Sequence, residues 1–233
     1  MKELVDQLNI QLEGLSAQEV IAFIYSQYKG ETAFASSMGL EDQVLTHMIT
    51  NQKQDAFIFT LDTGRVFPET YDLIQKTESR YEMKIHIYFP NTERVEEMLL
   101  QKGVNLFYES IENRKLCCGI RKIEPLQRAL VNRDAWIVGL RREQSITRQD
   151  MRVVEWDANN ELIKFNPLID WTEDRLWDYV KKNNVPYNAL HDKGFPSIGC
   201  QPCTRAIAAD EDVRAGRWWW ENPEQKECGL HKK

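Results

Sequence analysis

The chain has 233 residues, 42% of them hydrophobic and 28% charged, which leaves room for one sizeable domain with an appendage rather than two ordinary domains. A net charge of −6 argues against a nucleic-acid binder, and no apolar run approaches the roughly 20 residues of a membrane span. The opening residues 1–6 carry acids where a signal peptide would be apolar, so the expected compartment is the cytoplasm, with no membrane partner.

Along the chain, apolar residues at helical spacing (Leu4, Leu8, Leu12; Val20, Ile21, Ile24) predict two short helices within 3–28, broken at Gly14. A short run over 32–35 enters the polar turn Ser36-Ser37-Met38-Gly39, after which Val44, Leu45, Met48 and Ile49 mark one face of a helix. The alternation repeats. Residues 56–60 read as a strand ending in Leu61-Asp62-Thr63-Gly64, and Pro68 sits early in the next helix, where its missing N–H is tolerated. A strand over 84–89 precedes a helix over 92–101. A further helix is expected over 119–131, with Pro125 in its first turn or kinking it, and 135–139 is a buried strand.

Strands and helices taking turns predict an α/β fold, an open and mainly parallel sheet flanked by helices. Ligands of such sheets bind beyond the carboxyl ends of the strands, where the 36–39 turn, the 61–64 loop and Gly139-Leu140-Arg141-Arg142 all fall. Past Met151 the pattern changes to a hairpin, 151–156 and 162–165 around Asp157-Ala158-Asn159-Asn160, then a helix over 172–183 capped by Thr172. From Pro186 the sequence is rich in Gly, Pro and Trp with little periodicity, which predicts an irregular C-terminal segment and a mobile tail.

Five cysteines in a reducing compartment rarely form structural disulfides. Cys117 and Cys118 are adjacent, Cys200 and Cys203 form a C-x-x-C, and Cys228 stands alone. Four thiolates suit a 4Fe–4S cluster or a tetrahedral zinc, and reduced cysteines without metal are the plain alternative. The adjacent pair tilts the choice toward the cluster, because it would coordinate from a strained local backbone whereas structural zinc usually draws on spaced pairs. Cys228 reads equally as a nucleophile activated by Lys226 and His231 or as an idle thiol near a chain end. The 36–39 turn lacks the lysine of a phosphate-binding P-loop but opens a helix, where free N–H groups favour an anion. Arginines among glycines and aromatics, Arg141, Arg142, Arg148, Arg205, Arg214 and Arg217, suit sulfate or phosphate oxygens.

Seven segments together resemble the assimilatory adenylyl-sulfate and phosphoadenylyl-sulfate reductases: SSMGLEDQVL (36–45), LDTGRVFPETY (61–71), CCGIRKIEPL (117–126), GLRREQS (139–145), GCQPCTR (199–205), GRWWW (216–220) and ECGLH (227–231). The paired cysteines resemble the iron–sulfur branch of that family. The resemblance implies an adenine nucleotide alpha hydrolase-like, Rossmann-like fold, with a single reductase domain over 1–220 and a tail over 221–233. It also implies a 4Fe–4S cluster on Cys117, Cys118, Cys200 and Cys203, and Cys228 as the nucleophile with His231 in the same motif. Ser36, Ser37 and Gly39, with Leu61, Asp62 and Gly64, are implied as nucleotide-binding. Lys122, Arg148, Arg214 and Arg217 are implied as cations around the phosphate–sulfate group. Adenylyl sulfate (or phosphoadenylyl sulfate) is the implied substrate, thioredoxin or glutaredoxin the implied reductant, and a homo-oligomer the implied assembly. The competing readings are an ATP-activating pyrophosphatase or thiolation-type enzyme with a metal-bound cysteine set, and a zinc-bound interaction module.

Overall fold

A computed structural model describes residues 1–28, 32–53, 55–145 and 148–222. Six strands form one sheet: β1 (Thr32–Ala35), β2 (Phe57–Leu61), β3 (His86–Tyr88), β4 (Ala135–Ile137), β5 (Val154–Asp157) and β6 (Leu162–Phe165), in the order β3-β2-β1-β4-β6-β5. β1 runs parallel to β2 and β4, with Phe34 opposite Ile58 and Ile137, and β4 runs parallel to β6, with Ile137 opposite Phe165. The central strands β1, β2, β4 and β6 are short and largely buried, as in Ala135-Trp136-Ile137, which is expected where helices cover both faces of a parallel sheet. The hairpin pairs antiparallel as expected, Val154 opposite Phe165 and Asp157 opposite Leu162. Its turn is held by Asp157 Oδ1, which accepts from the N–H groups of Asn159 and Asn160 at 3.0 and 3.2 Å.

The chain packs as two interleaved compact units, one of residues 1–60, 69–86 and 132–188, the other of residues 61–68, 87–131 and 189 onward. In the first, α1 (Lys2–Gln11), α2 (Ala17–Gln27), α3 (Leu40–Thr50) and α8 (Glu173–Asn183) share a core with the strands, including Ile21, Ile24, Phe34, Leu45, Ile49, Ile137, Phe165 and Leu176, none of them exposed. Each such side chain contributes about 1.5–3 kcal/mol by leaving water. α4 (Pro68–Tyr81) brings Leu73 and Ile74 into a separate cluster with Met38 and Ile85. The ends are fixed chemically: Ser16 and Glu19 form a capping box on α2, and Thr172 accepts from Arg175 N–H on α8 as its sequence predicts. The outer edge of β5 is met by Asn9 of α1, whose side-chain amide donates to Val154 O at 2.9 Å and accepts from Val154 N–H at 3.1 Å.

The second unit holds α5 (Thr92–Lys102), α6 (Ile111–Cys118), α7 (Glu124–Leu130) and the irregular chain after Ala189. Its core joins Met98, Leu106, Phe107, Ile120, Cys203 and Trp218. The helix expected over 119–131 is two pieces, a π-helical turn over Gly119–Ile123 followed by α7, with Pro125 in the first turn of α7. Ahead of it, α6 is capped by Ser110, whose hydroxyl accepts from Asn113 N–H at 3.1 Å. Cys117 and Cys118 therefore sit in the last turn of an ordinary α-helix, with Cys118 at φ −65° and ψ −36°, and not on the strained backbone expected for adjacent ligands. The π turn that follows is a wide turn of a kind often found beside functional sites. No helix among the described residues is long and apolar enough to cross a membrane.

Candidate active site

In the second unit, Cys117, Cys118, Cys200 and Cys203 line one cavity with Arg65, Arg121, Lys122 and Arg217. α6 delivers the first two thiols. The other two come from the 200–203 turn, which is tied down by Gln201 N–H donating to Arg65 O at 2.8 Å and Tyr108 Oη to Pro202 O at 2.7 Å. Burial pushes the Cys203 thiol up to about 12, helped by its neighbours Cys200 and Cys117 and opposed by Arg217 and Lys122. Burial likewise raises Cys117, against the pull of Arg121. Two thiols raised by burial in a dry cavity, Cys117 and Cys203, are what a bound metal group would relieve by supplying positive charge. Among the described residues the sulfurs line this cavity without closing into a ready ligand set.

Two buried donors around the cavity bear on which group fits. Trp218 Nε1 and Arg217 Nε have no hydrogen-bond partner among the described residues. Thiolates bound to zinc or to a 4Fe–4S cluster could both accept from these donors, and a cluster would add sulfide sulfurs as further acceptors. Four thiols, a cationic rim and spare buried donors fit the cluster.

The 61–64 loop is wired to both cysteine segments. Asp62 Oδ1 accepts from Gly64 N–H at 2.7 Å, and Gly64 takes φ +71°, a conformation few side chains tolerate. Arg121 Nη1 donates to Thr63 O at 2.6 Å, and Thr63 Oγ1 lies 3.2 Å from Cys200 Sγ. Thr63 and Arg121 were not singled out from the sequence, although both stand inside motifs that were, one residue from Asp62 and from Lys122. Leu61 ends β2, and Lys122 lies in the π turn and lines the cavity. Arg217 is buried, its guanidinium at 3.4 Å from Ile198 O, over a Gly199 whose Cβ would fall 2.3 Å from Arg217 Nη2. Arg214 stands three residues earlier, its N–H donating to Asp212 Oδ1 at 2.8 Å. Cys228 and His231 lie outside the described residues.

Ser36, Ser37, Gly39 and Arg148 belong to the first unit. The 36–39 turn sits between β1 and α3, and β1 and β4 are the adjacent strands whose connections leave in opposite directions, the switch point at which open α/β sheets bind ligands. Three N–H groups of the turn, those of Ser36, Ser37 and Met38, are engaged within the chain, whereas free N–H groups were the reason for singling it out. Ser36 N–H donates to Phe59 O, Ser37 N–H and Oγ both donate to Asp42 Oδ2 at 2.6 Å, and Met38 N–H points to Ser36 Oγ at 3.2 Å. Gly139, after β4, admits the Asp42 carboxylate: a Cβ there would lie 2.2 Å from Asp42 Oδ1. Arg141 Nε holds Glu41 at 2.8 Å, and buried Arg148 donates to the Gln144 side chain.

Burial lifts the Asp42 carboxyl from 3.8 to about 6, opposed by the two Ser37 hydrogen bonds. Between those values the folded chain holds a proton that the unfolded chain has lost, so the Asp42 contribution falls as pH rises through the window and stays lower above it. Asp42→Asn removes the titration. Its stability relative to the parent chain is expected to improve by about 1 kcal/mol between roughly pH 5 and roughly pH 7.5. Thermal melts of both proteins at the two pH values decide this; parallel pH profiles would refute it.

Residues 31–206 match the family of phosphoadenosine phosphosulfate reductase domains. An adenosine 5'-phosphosulfate reductase of Allochromatium vinosum is 52% identical over 200 residues, 86% of this chain and 78% of the relative. Among solved structures, a phosphoadenylyl-sulfate reductase from Candida auris in a phosphate complex is similar with a TM-score of 0.76 at 32% identity, covering 89% of this chain and 98% of that one. An FMN adenylyltransferase from Candida glabrata shares the fold alone, with a TM-score of 0.56 at 16% identity over 99% of this chain and 83% of that one.

Proposed function

The chain belongs to the phosphoadenosine phosphosulfate reductase family, and on that basis we propose that it is a cytoplasmic, assimilatory enzyme that reduces adenylyl sulfate to sulfite and AMP with electrons from thioredoxin or glutaredoxin. Phosphoadenylyl sulfate is the second substrate of the same reading, and a homo-oligomer its assembly. The observation that carries it is the cysteine cavity, four thiols under a rim of Arg65, Arg121, Lys122 and Arg217, in a chain 52% identical to an adenosine 5'-phosphosulfate reductase.

In this reading Cys117, Cys118, Cys200 and Cys203 hold a 4Fe–4S cluster. When bound, the cluster supplies a rigid charged cross-link that keeps Lys122 and the flanking loops in place. Lys122, Arg148, Arg214, Arg217 and His231 meet the phosphate–sulfate oxygens. Cations there offset the repulsion between an attacking thiolate and a dianionic substrate, and they act most strongly where water is scarce. The nucleoside end falls to Ser36, Ser37 and Gly39, with Leu61, Asp62 and Gly64, where Asp42 keeps the first turn in shape.

Cys228 thiolate attacks the sulfate sulfur. A sulfur–sulfur bond forms, the bond from sulfur to the bridging oxygen breaks, and AMP leaves with that oxygen and its electron pair. The product is a cysteine S-sulfonate. A thiolate of the dithiol reductant then attacks Cys228 Sγ and releases sulfite with the bonding pair, and its second thiol resolves the mixed disulfide. Four of the five cysteines are committed to the cluster, so the two electrons come from outside the chain.

Mixing the protein with adenylyl sulfate in the absence of reductant tests this reading. Intact-protein and peptide mass spectrometry should find one SO₃ group on Cys228, released as sulfite when thioredoxin is added. An adduct that never forms, or that sits on another residue, rejects it.

A further inference from the structure

The turn that leads from β1 into α3 holds a residue in a conformation its side chain disfavours. Met38 takes φ +60°, a left-handed backbone that glycine enters freely and a residue with a Cβ resists. Its side chain is buried with Leu73, Ile74 and Ile85. The sulfur accepts from Ser36 Oγ at 3.5 Å and from Gln43 Nε2 at 3.8 Å, and Met38 N–H donates to Ser36 Oγ at 3.2 Å. Gln43 is itself held by Thr77, whose hydroxyl donates to Gln43 Oε1 at 3.2 Å. Ser37, the residue before Met38, gives both its N–H and its hydroxyl to Asp42 Oδ2, each at 2.6 Å. Asp42 is buried in the first turn of α3.

A strained residue relaxes unless its surroundings over-determine it, and such residues gather where a ligand is met. The holds on this one differ in strength. Apolar packing around the Met38 side chain sets no direction, and a thioether sulfur is a weak acceptor. The two bonds to the Asp42 carboxyl are short and directional, and charge-assisted once it ionises, so they carry most of the constraint. Rotation at Met38 would turn Ser37 relative to Gly39, the residues on either side of it.

We propose that Asp42 is a positioning residue for the nucleotide: by pinning Ser37 it keeps Met38 left-handed, so that the 36–39 turn stands in its binding shape before the nucleotide arrives. This rests on the reading that the turn takes the nucleoside end of the substrate. Asp42 acts through Ser37, and its contribution is an ordering cost already met in the free protein. Without it the turn relaxes away from the strained conformation. If the binding shape then makes up about a tenth of the population, apparent affinity falls about tenfold, while saturating substrate restores the shape and leaves turnover as it was.

The experiment combines hydrogen–deuterium exchange of the 36–39 segment, with and without AMP, with AMP titration and steady-state sulfite release. In Asp42→Ala the Ser37 and Met38 amides should exchange at least about tenfold faster than in the parent before AMP is added, and recover protection at saturation. AMP affinity should fall about tenfold and KM rise to match, with kcat within about twofold. Asp42→Asn keeps an oxygen for both Ser37 donors and should stay within about threefold of the parent in exchange and affinity. Should Asp42→Ala fail to fold, Ser37→Ala replaces it in the exchange measurement without nucleotide, where losing the hydroxyl bond alone should speed the Met38 amide at least about threefold. Parent-like exchange in the folded variant overturns the proposal. So does an Asp42→Asn protein as weak as Asp42→Ala, or a fall in kcat with KM unchanged. If the unaltered chain leaves AMP unbound while the Asp42→Ala turn still loosens, the nucleotide reading fails and takes the positioning role with it.

Discussion

Cys228→Ser is expected to lower sulfite release by at least about a thousandfold while iron content and AMP affinity stay as they were. The reason is the softness and acidity of the attacking atom. A serine hydroxyl near neutral pH carries almost no anion and is a poor nucleophile toward crowded sulfate sulfur, and no general base stands in for it in the proposed chemistry. The variant separates binding from chemistry, because the groups assigned to the nucleotide and to the cluster are elsewhere in the chain. Steady-state sulfite release and AMP titration are the two measurements. Residual turnover within about tenfold of the parent would move the nucleophile to another residue.

The second large effect is at the cysteine cavity. Cys203→Ser should strip iron and acid-labile sulfide from the purified protein, bleach its visible absorbance, and reduce sulfite release at least about a hundredfold. Cys203 is the most buried of the four thiols and packs with Trp218, Ile120 and Phe107, so its loss both opens the ligand set and loosens the second unit. A lower thermal midpoint should accompany the loss of iron. The same preparation settles the metal: iron with sulfide in the parent chain agrees with the cluster, whereas zinc without sulfide would reject it. Full iron retention in Cys203→Ser would remove that residue from the ligand set.

Much of this architecture could be read from periodicity and punctuation. The alternation of short apolar runs with amphipathic stretches is legible because the central strands β1, β2, β4 and β6 are largely buried. The hairpin at Asp157 and the cap at Thr172 are legible because local side-chain hydrogen bonds create them. α6 was missed for an opposite reason. Ile111–Cys118 has little apolar pattern, and its one buried residue is Arg114, a side chain no periodicity argument places inside.

At the site, the motifs named segments, and the structure adds contacts made by residues beside the named ones. Lys122 stood out as a cation, while Arg121 beside it is the one that holds Thr63 O. Asp42 reads in sequence as an ordinary acid in the first turn of a helix, favourable to the dipole. Folded, it is buried and occupies the Ser37 donors that the turn seemed to offer an anion. Contacts such as Arg114 with Glu221 join residues 107 positions apart and leave no local trace.

The amide of Asn9 has a consequence for the behaviour of the molecule in concentrated solution. By answering both the donor and the acceptor of Val154, it imitates a seventh strand for one residue. An outermost strand with bare polar groups is a template on which a second molecule can zip. Here the first helix fills that template from within, so growth of the sheet from one molecule to the next is blocked at this point.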